Sequence, residues 1–552
     1  MGDAVELDRP VAERPARANT SARGLTWLSV LAVTVPFLVI GIRLNLTGSF
    51  FPGGDAALAD LHARDAVGLG QLVGPWVSSE ASQPGPTWFY LLAVVRSVFG
   101  DSGTGLVAAS LTLHALAAAL LVLAVGRTRT WERPVLALIV VLLVVQLPAT
   151  TFLQVWGPAA MLLPTALALL LAARACTGSL PALSGLAVVG TVLVQTDIRT
   201  LPLLALLVVV AATGIVRTWR HVGSGEEDVV APARTSRRGR FLVLVGAVAT
   251  VGSWVPPVWQ QLRPGPRGGN LGRLAHEVLG SSPEPPVAWR AAVSGVGRAL
   301  GLTVGTEPAG SVPLDVAGPS LGAALAVAAQ LAAGAALIWA ARRRGRPFIA
   351  ALGLVVVIAT VAAVFAARLV PGQLTSGSVL WVAVLPVLTL AGAAWLLVEG
   401  LVTARPGSRR RGRPALGAIL VTAAVLAGVV LADGAGDLPS QPGVEAAAEL
   451  VEQSVPQQEG EALVLEVRDP RTWQTVAGLA DELERSDRQI AVGEPWVEAF
   501  GGTRTATGHE TWRVTLVAVA DAPAVPYGSV IGTVVTDLGE TAVVLGQQTP
   551  VG

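Results

Sequence analysis

The sequence predicts an all-α polytopic membrane domain followed by a small C-terminal extracytoplasmic α/β domain. Three observations carry that prediction. Hydrophobic residues make up 52% of the 552 positions and charged residues 14%, with a mean hydropathy of +0.61, whereas a soluble chain carries about 25% charged residues. Apolar runs able to cross roughly 30 Å of hydrocarbon recur up to Asp433, and they are continuous rather than alternating, which selects helices over barrel strands. After Asp433 the chain turns charged and mixed in period.

The elements follow in order. Met1 to Gly24 is charged and rich in Ala, Arg and Pro, as expected of a disordered cytoplasmic tail. The span after it has no small-residue cleavage site and reads as an anchor. Eleven spans are predicted, at about 25–43, 105–126, 134–150, 158–175, 180–196, 200–217, 241–259, 319–341, 347–367, 378–401 and 415–433. Segment 85–99 is apolar but short, follows Pro84, and contains Arg96. Basic loops at Arg127–Arg133, Arg217–Arg240, Arg342–Arg346 and Arg405–Arg413 belong in the cytoplasm with the tail. Threading the spans between them makes 85–99 re-entrant or interfacial, with the N-terminus inside and the C-terminus outside; the alternative is a twelfth, short span. The location expected is the bacterial cytoplasmic membrane.

The outer face then holds loops 44–84, 149–157, 197–199, 260–318 and 368–377, and residues 434–552 as the α/β domain. In that domain Ala462–Val467, Gln489–Val492, Thr511–Val519 and Val530–Thr536 read as strands, and Trp473–Arg485 as an amphipathic helix. About 110 residues are enough for a separate core.

Composition excludes several chemistries. Net charge is +1, which indicates no nucleic-acid partner. The lone cysteine, Cys176, rules out an internal disulfide and a cysteine metal site. There is no lysine, hence no Schiff base and no P-loop, and the five histidines are scattered. His114, inside a span, reads as an interhelical hydrogen-bonder.

The first external loop is the richest in chemistry. It carries Asp55, Asp60, His62, Arg64, Asp65, Glu80 and Gln83. Pro52-Gly53-Gly54 forms a turn that stops the first span and holds Asp55 at its mouth. A carboxylate there can act as general base toward a hydroxyl, or hold a divalent cation against a phosphate; whether such a cofactor is used is left open. Asp60 and Asp65 read as solvated loop acids. Ala56–Leu69 reads as a short helix lying on the membrane, with Leu58, Leu61 and Leu69 as lipid contacts.

Gly54-Asp55, the Pro84-Gly85-Pro86 run into Phe89-Tyr90, Trp156-Gly157-Pro158, Gln195-Thr196-Asp197, and Trp254-Val255-Pro256-Pro257 through Gln261 to Asn270 occur in one order. That order resembles the GT-C class of polytopic membrane glycosyltransferases, and within it a group of uncharacterised bacterial membrane proteins. The resemblance covers about residues 25–500. It implies transfer of a sugar from a polyprenyl-phosphate donor to a cell-envelope glycan or protein acceptor, with Asp55 as base or metal-linked acid. It also implies basic residues at the donor phosphate, for which Arg199, Arg263, Arg267 and Arg368 stand at the outer surface. Gln83, Trp156, Asp197, Arg199, Gln261 and Asn270 are the substrate-binding residues expected. The group's usual pattern has histidine where this chain has Gln83 and Asp197. Gln83 cannot titrate and can only orient a ligand. For Asp197 the alternatives are an ion pair with Arg199 or Arg96, or a substrate contact. A transporter or flippase of a lipid-linked precursor would need ionisable residues within spans and inverted repeats, and few such residues and no repeat are found. The remaining alternative is a non-catalytic envelope scaffold of the same architecture.

Overall fold

The computed structural model describes residues 16–77, 81–126, 129–155, 157–223, 236–263, 268–279, 285–301, 320–370, 372–404, 412–436, 438, 440–456, 461–508, 510–526 and 528–547. Among them eight helices are long and apolar enough to span a bilayer: Arg23–Thr47, Gly103–Ala124, Ile198–Arg220, Arg237–Leu262, Leu321–Arg343, Pro347–Arg368, Gly377–Val402 and Pro414–Gly436. Three shorter apolar helices, Thr87–Phe99, Ala159–Ala175 and Leu180–Thr196, accompany them. Thr87–Phe99 has 13 residues and so reaches only about 20 Å, well short of the hydrocarbon thickness.

The first span packs along Gly103–Ala124 and the last span. Phe37, Phe89, Phe152 and Trp395 are the largest fully buried side chains of the helical core. At one end of the bundle the arginine-rich helix termini gather. Arg129 and Arg346 share Glu399, Arg344 donates to Leu396 O, and Arg133 and Arg174 donate to carbonyls at Leu123–Val125. The Arg133 and Arg174 guanidinium groups thus meet the C-terminal carbonyls of helix Gly103–Ala124, where positive charge is favoured.

The C-terminal region opens with helix Val444–Ser454 and holds five strands: β1 (Leu463–Glu466), β2 (Ile490–Val492), β3 (Trp512–Ala518), β4 (Gly528–Thr536) and β5 (Gly539–Gln547). Their order is β2-β1-β3-β5-β4. β1 pairs in parallel with β2 and β3, while β5 runs antiparallel to both β3 and β4. Helix Trp473–Arg485 connects β1 to β2 as a parallel crossover requires. β5 and helix Val444–Ser454 are elements that sequence periodicity did not single out.

Candidate functional site on the outer face

The first loop folds into helix Gly54–Val67, with Asp55 in its first turn. An acid is favoured there by the unpaired N–H groups of the helix start. Gly54 has a φ of +50°, and a Cβ on it would stand 3.2 Å from both Trp473 Cη2 and Gln474 Cγ. Only glycine allows this approach, and it fixes exposed Asp55 beside the C-terminal domain.

Two faces of this loop helix enter two different cores. Ala57, Leu58 and Leu61 are buried with Val476, Ala480 and Phe500 of the C-terminal domain. Ala59, Ala63 and Ala66 are buried with Trp88, Phe89 and Leu92 of the membrane domain. The expectation that Leu58 and Leu61 touch lipid is therefore corrected: the apolar stripe is covered by protein. Leu69, at the end of the helix with φ +57°, is exposed.

The charged residues of the helix are also consumed by this junction. Asp60, read from sequence as a solvated acid, is fully buried. Its Oδ1 lies 2.6 Å from Arg96 Nε, and its Oδ2 accepts from Arg64 at 3.0 Å and Arg485 at 2.9 Å. Arg485 and Arg64 also bind Asp481, at 2.6 and 3.1 Å. Burial alone would raise the Asp60 carboxyl, but Arg96, Arg485 and Arg64 outweigh it and hold it well below the usual carboxylate range. For Asp481 burial and the adjacent Asp60 win, and its pKa rises. Asp65 is likewise tied down, by Arg504 at 2.7 Å, which also binds Glu484 at 2.6 Å.

His62 donates from Nε2 to Ala499 O at 2.9 Å, and its Nδ1 stands 3.2 Å from Gln71 Oε1. Burial, with Arg504 nearby, lowers its pKa from 6.5 to about 4, against the opposing pull of Asp65. A base depressed in this way takes up its proton first in the unfolded chain. Its contribution to stability is complete above about pH 6.5 and falls by about 3 kcal/mol as the pH drops toward 4. Thermal unfolding followed down this range should show the loss, and His62→Gln should flatten it.

A second buried joint links the loop to the span ends. The Asn270 amide accepts from Ser82 N at 3.0 Å and donates to Ser82 O at 2.9 Å and Gln83 O at 3.2 Å. Gln83 Oε1 accepts from Ile198 N at 2.9 Å. Gln195 Oε1 accepts from Thr87 N and Oγ1, and its Nε2 donates to Ser253 O. A Cβ on Gly85 would collide with that Gln195 amide, which explains the glycine between two prolines. Gln260 Oε1 caps Asn270 N at 2.8 Å, and Gln261 Oε1 accepts from Gly272 N at 3.2 Å. Asp197 Oδ1 accepts from Arg199 N and Nε, both at 2.9 Å, while Oδ2 lies 2.8 Å from Nη2. Arg96 pairs with Asp60 and Asp101.

Gln83, Asp197, Arg199, Gln261 and Asn270 thus come together at one joint between loops and span ends, with much of their hydrogen bonding spent on backbone. Asp55 stands at the loop helix start beside Trp473 and Gln474. Arg199 keeps 40% of its side chain exposed. Arg263 lies over Trp259 at 4.1 Å and Arg368 over Trp289 at 5.7 Å. Trp156, Glu80 and Arg267 fall outside the described residues. Among the described residues no three metal-binding side chains converge.

No family model and no curated protein matches the sequence. The structure does align almost end to end with ArnT from Cupriavidus metallidurans. The apo form gives a TM-score of 0.54 at 14% identity, covering 95% of this chain and 98% of that one. The form bound to undecaprenyl phosphate gives 0.52 at 12% identity, covering 96% and 98%. The fold is GT-C-like. The likeness takes in the C-terminal domain as well as the span bundle, since it leaves only 5% of this chain unmatched by the apo form.

Within this GT-C-like frame, sequence reasoning missed Asp481, Arg485, Glu484 and Arg504, the C-terminal partners of the first loop. Arg485 meets Asp60 across 425 positions. The only local sign was the excess of charge on helix Trp473–Arg485, which any exposed amphipathic helix shares.

Proposed function

We propose that this chain is a membrane glycosyltransferase that moves a sugar from a polyprenyl-phosphate donor to a cell-envelope glycan or protein outside the cytoplasmic membrane. The end-to-end likeness to ArnT, one form of which holds undecaprenyl phosphate, is the observation that carries the reading. In the reaction proposed, an acceptor hydroxyl attacks the anomeric carbon and Asp55 takes its proton. The carbon–oxygen bond to phosphate breaks, and polyprenyl phosphate leaves with the electron pair. Arg199, oriented by Asp197, meets that charge through its outward N–H groups. Gln83, Gln261 and Asn270 shape the wall between the first loop and the span ends. Asp55 would bring a single carboxylate to any divalent cation, and the steps proposed use none.

The test is turnover of a labelled polyprenyl-phosphate sugar by the purified protein in lipid nanodiscs. Asp55→Asn should lower kcat by about 10²–10⁴, and a melting curve of the variant separates that loss from unfolding. Equal release of polyprenyl phosphate by both proteins would sink the reading.

A further inference from the structure

Three indoles meet in the C-terminal domain, and one of them, Trp473, packs against Gly54 next to Asp55. Trp76 comes from the first loop, Trp473 begins the crossover helix, and Trp496 follows β2. Trp473 and Trp496 lie nearly parallel, 14° apart with centroids separated by 6.2 Å. Trp76 tilts against each at 6.0 Å. All three are half-buried, so each keeps part of its surface open. They belong to the outer domain and its loop rather than to a span end, so anchoring in the lipid interface does not account for them.

The groups around them are polar, with carboxylates at Asp55 and Asp537. Trp473 Cη2 and Gln474 Cγ each approach to 3.2 Å of the position a Cβ on Gly54 would take. Exposed Gln474 and the edge of the Trp473 indole therefore both lie against Gly54, next to Asp55. Gln441 lies against Gly53 and donates to Thr475 Oγ1 and to Asp537. The indole N–H of Trp76 is buried and has no hydrogen-bond partner among the described residues. An indole face is electron-rich, and the axial C–H groups on one face of a pyranose are electron-poor. Planar amides both donate to and accept from hydroxyls.

We propose that Trp76, Trp473 and Trp496, with Gln474, form a stacking platform for a pyranose ring of the acceptor. The proposal rests on the transferase reading for its role and commits to a carbohydrate acceptor over a peptide. It puts the acceptor on the C-terminal domain, next to the acid that takes its proton.

The experiment is saturation-transfer NMR on the full chain in nanodiscs, with methyl glucoside, methyl galactoside and methyl mannoside as probes and sorbitol as control. Sorbitol offers hydroxyls without a flat C–H face. Transfer to ring protons of at least one pyranoside, and not to sorbitol, is expected. Trp473→Leu and Trp496→Leu stay apolar but lose the π face, and each should weaken binding by about twofold to tenfold, beyond what any fall in melting temperature accounts for. No pyranoside signal, equal sorbitol signal, undiminished binding in both variants, or a loss of binding that only tracks a fall in melting temperature overturns the platform. Because the readout is binding, sugar bound without turnover would remove the transferase reading and leave the platform. Turnover indifferent to both variants would do the reverse.

Discussion

Asp60→Asn should destabilise the junction of the two domains by about 3–5 kcal/mol, the cost of leaving buried cations without their partner. Asp60 is the shared acceptor of Arg64, Arg96 and Arg485, drawn from the loop helix, the short helix Thr87–Phe99 and the crossover helix. Its charge offsets three guanidinium groups at once, and an amide cannot. Asp481→Asn should cost about 1 kcal/mol, an ordinary hydrogen-bond loss. Burial and Asp60 already raise the Asp481 pKa, so its environment disfavours the charge that the substitution removes. Melting curves and hydrogen exchange along 54–67 and 473–485 measure both variants. Equal effects would contradict the division of charge between the two carboxyls.

Asn270→Ala should be the second large effect, about 3 kcal/mol or more. It strips partners from Ser82 N, Ser82 O and Gln83 O, and an unmet buried group costs about 1–3 kcal/mol. Ser82 and Gln83 are both buried and lie far from Asn270 in sequence, with 188 positions between Ser82 and Asn270. Faster exchange at 81–83 and a lower melting temperature are expected. A variant that melts like the wild type but no longer binds donor would show Asn270 to be a ligand contact instead of the tie that closes the loop.

Legibility differed by region for physical reasons. The long spans were readable because an apolar run of bilayer length has one stable environment. Strands β1 to β4 and helix Trp473–Arg485 were readable from their period. Helix Gly54–Val67 was readable as a helix, but its surroundings were not. The stripe Ala57, Leu58 and Leu61 would satisfy a lipid surface as well as a protein core, and nothing local separates the two. Gln83, Asp197, Arg199, Gln261 and Asn270 were all picked out as polar residues on the outer face. That they share one joint follows from where the span ends converge.

By itself the sequence determined the membrane class, the helical bundle and the C-terminal α/β region, because hydropathy and period are local properties. Tertiary structure alone decided what Asp55 is near. Glycine at position 54 lets the chain close against Trp473, and the arginines around Asp60 and Asp481 fix that contact. Partners so far apart in the chain leave no trace in local pattern, since a buried ion pair and an exposed one use the same residue types.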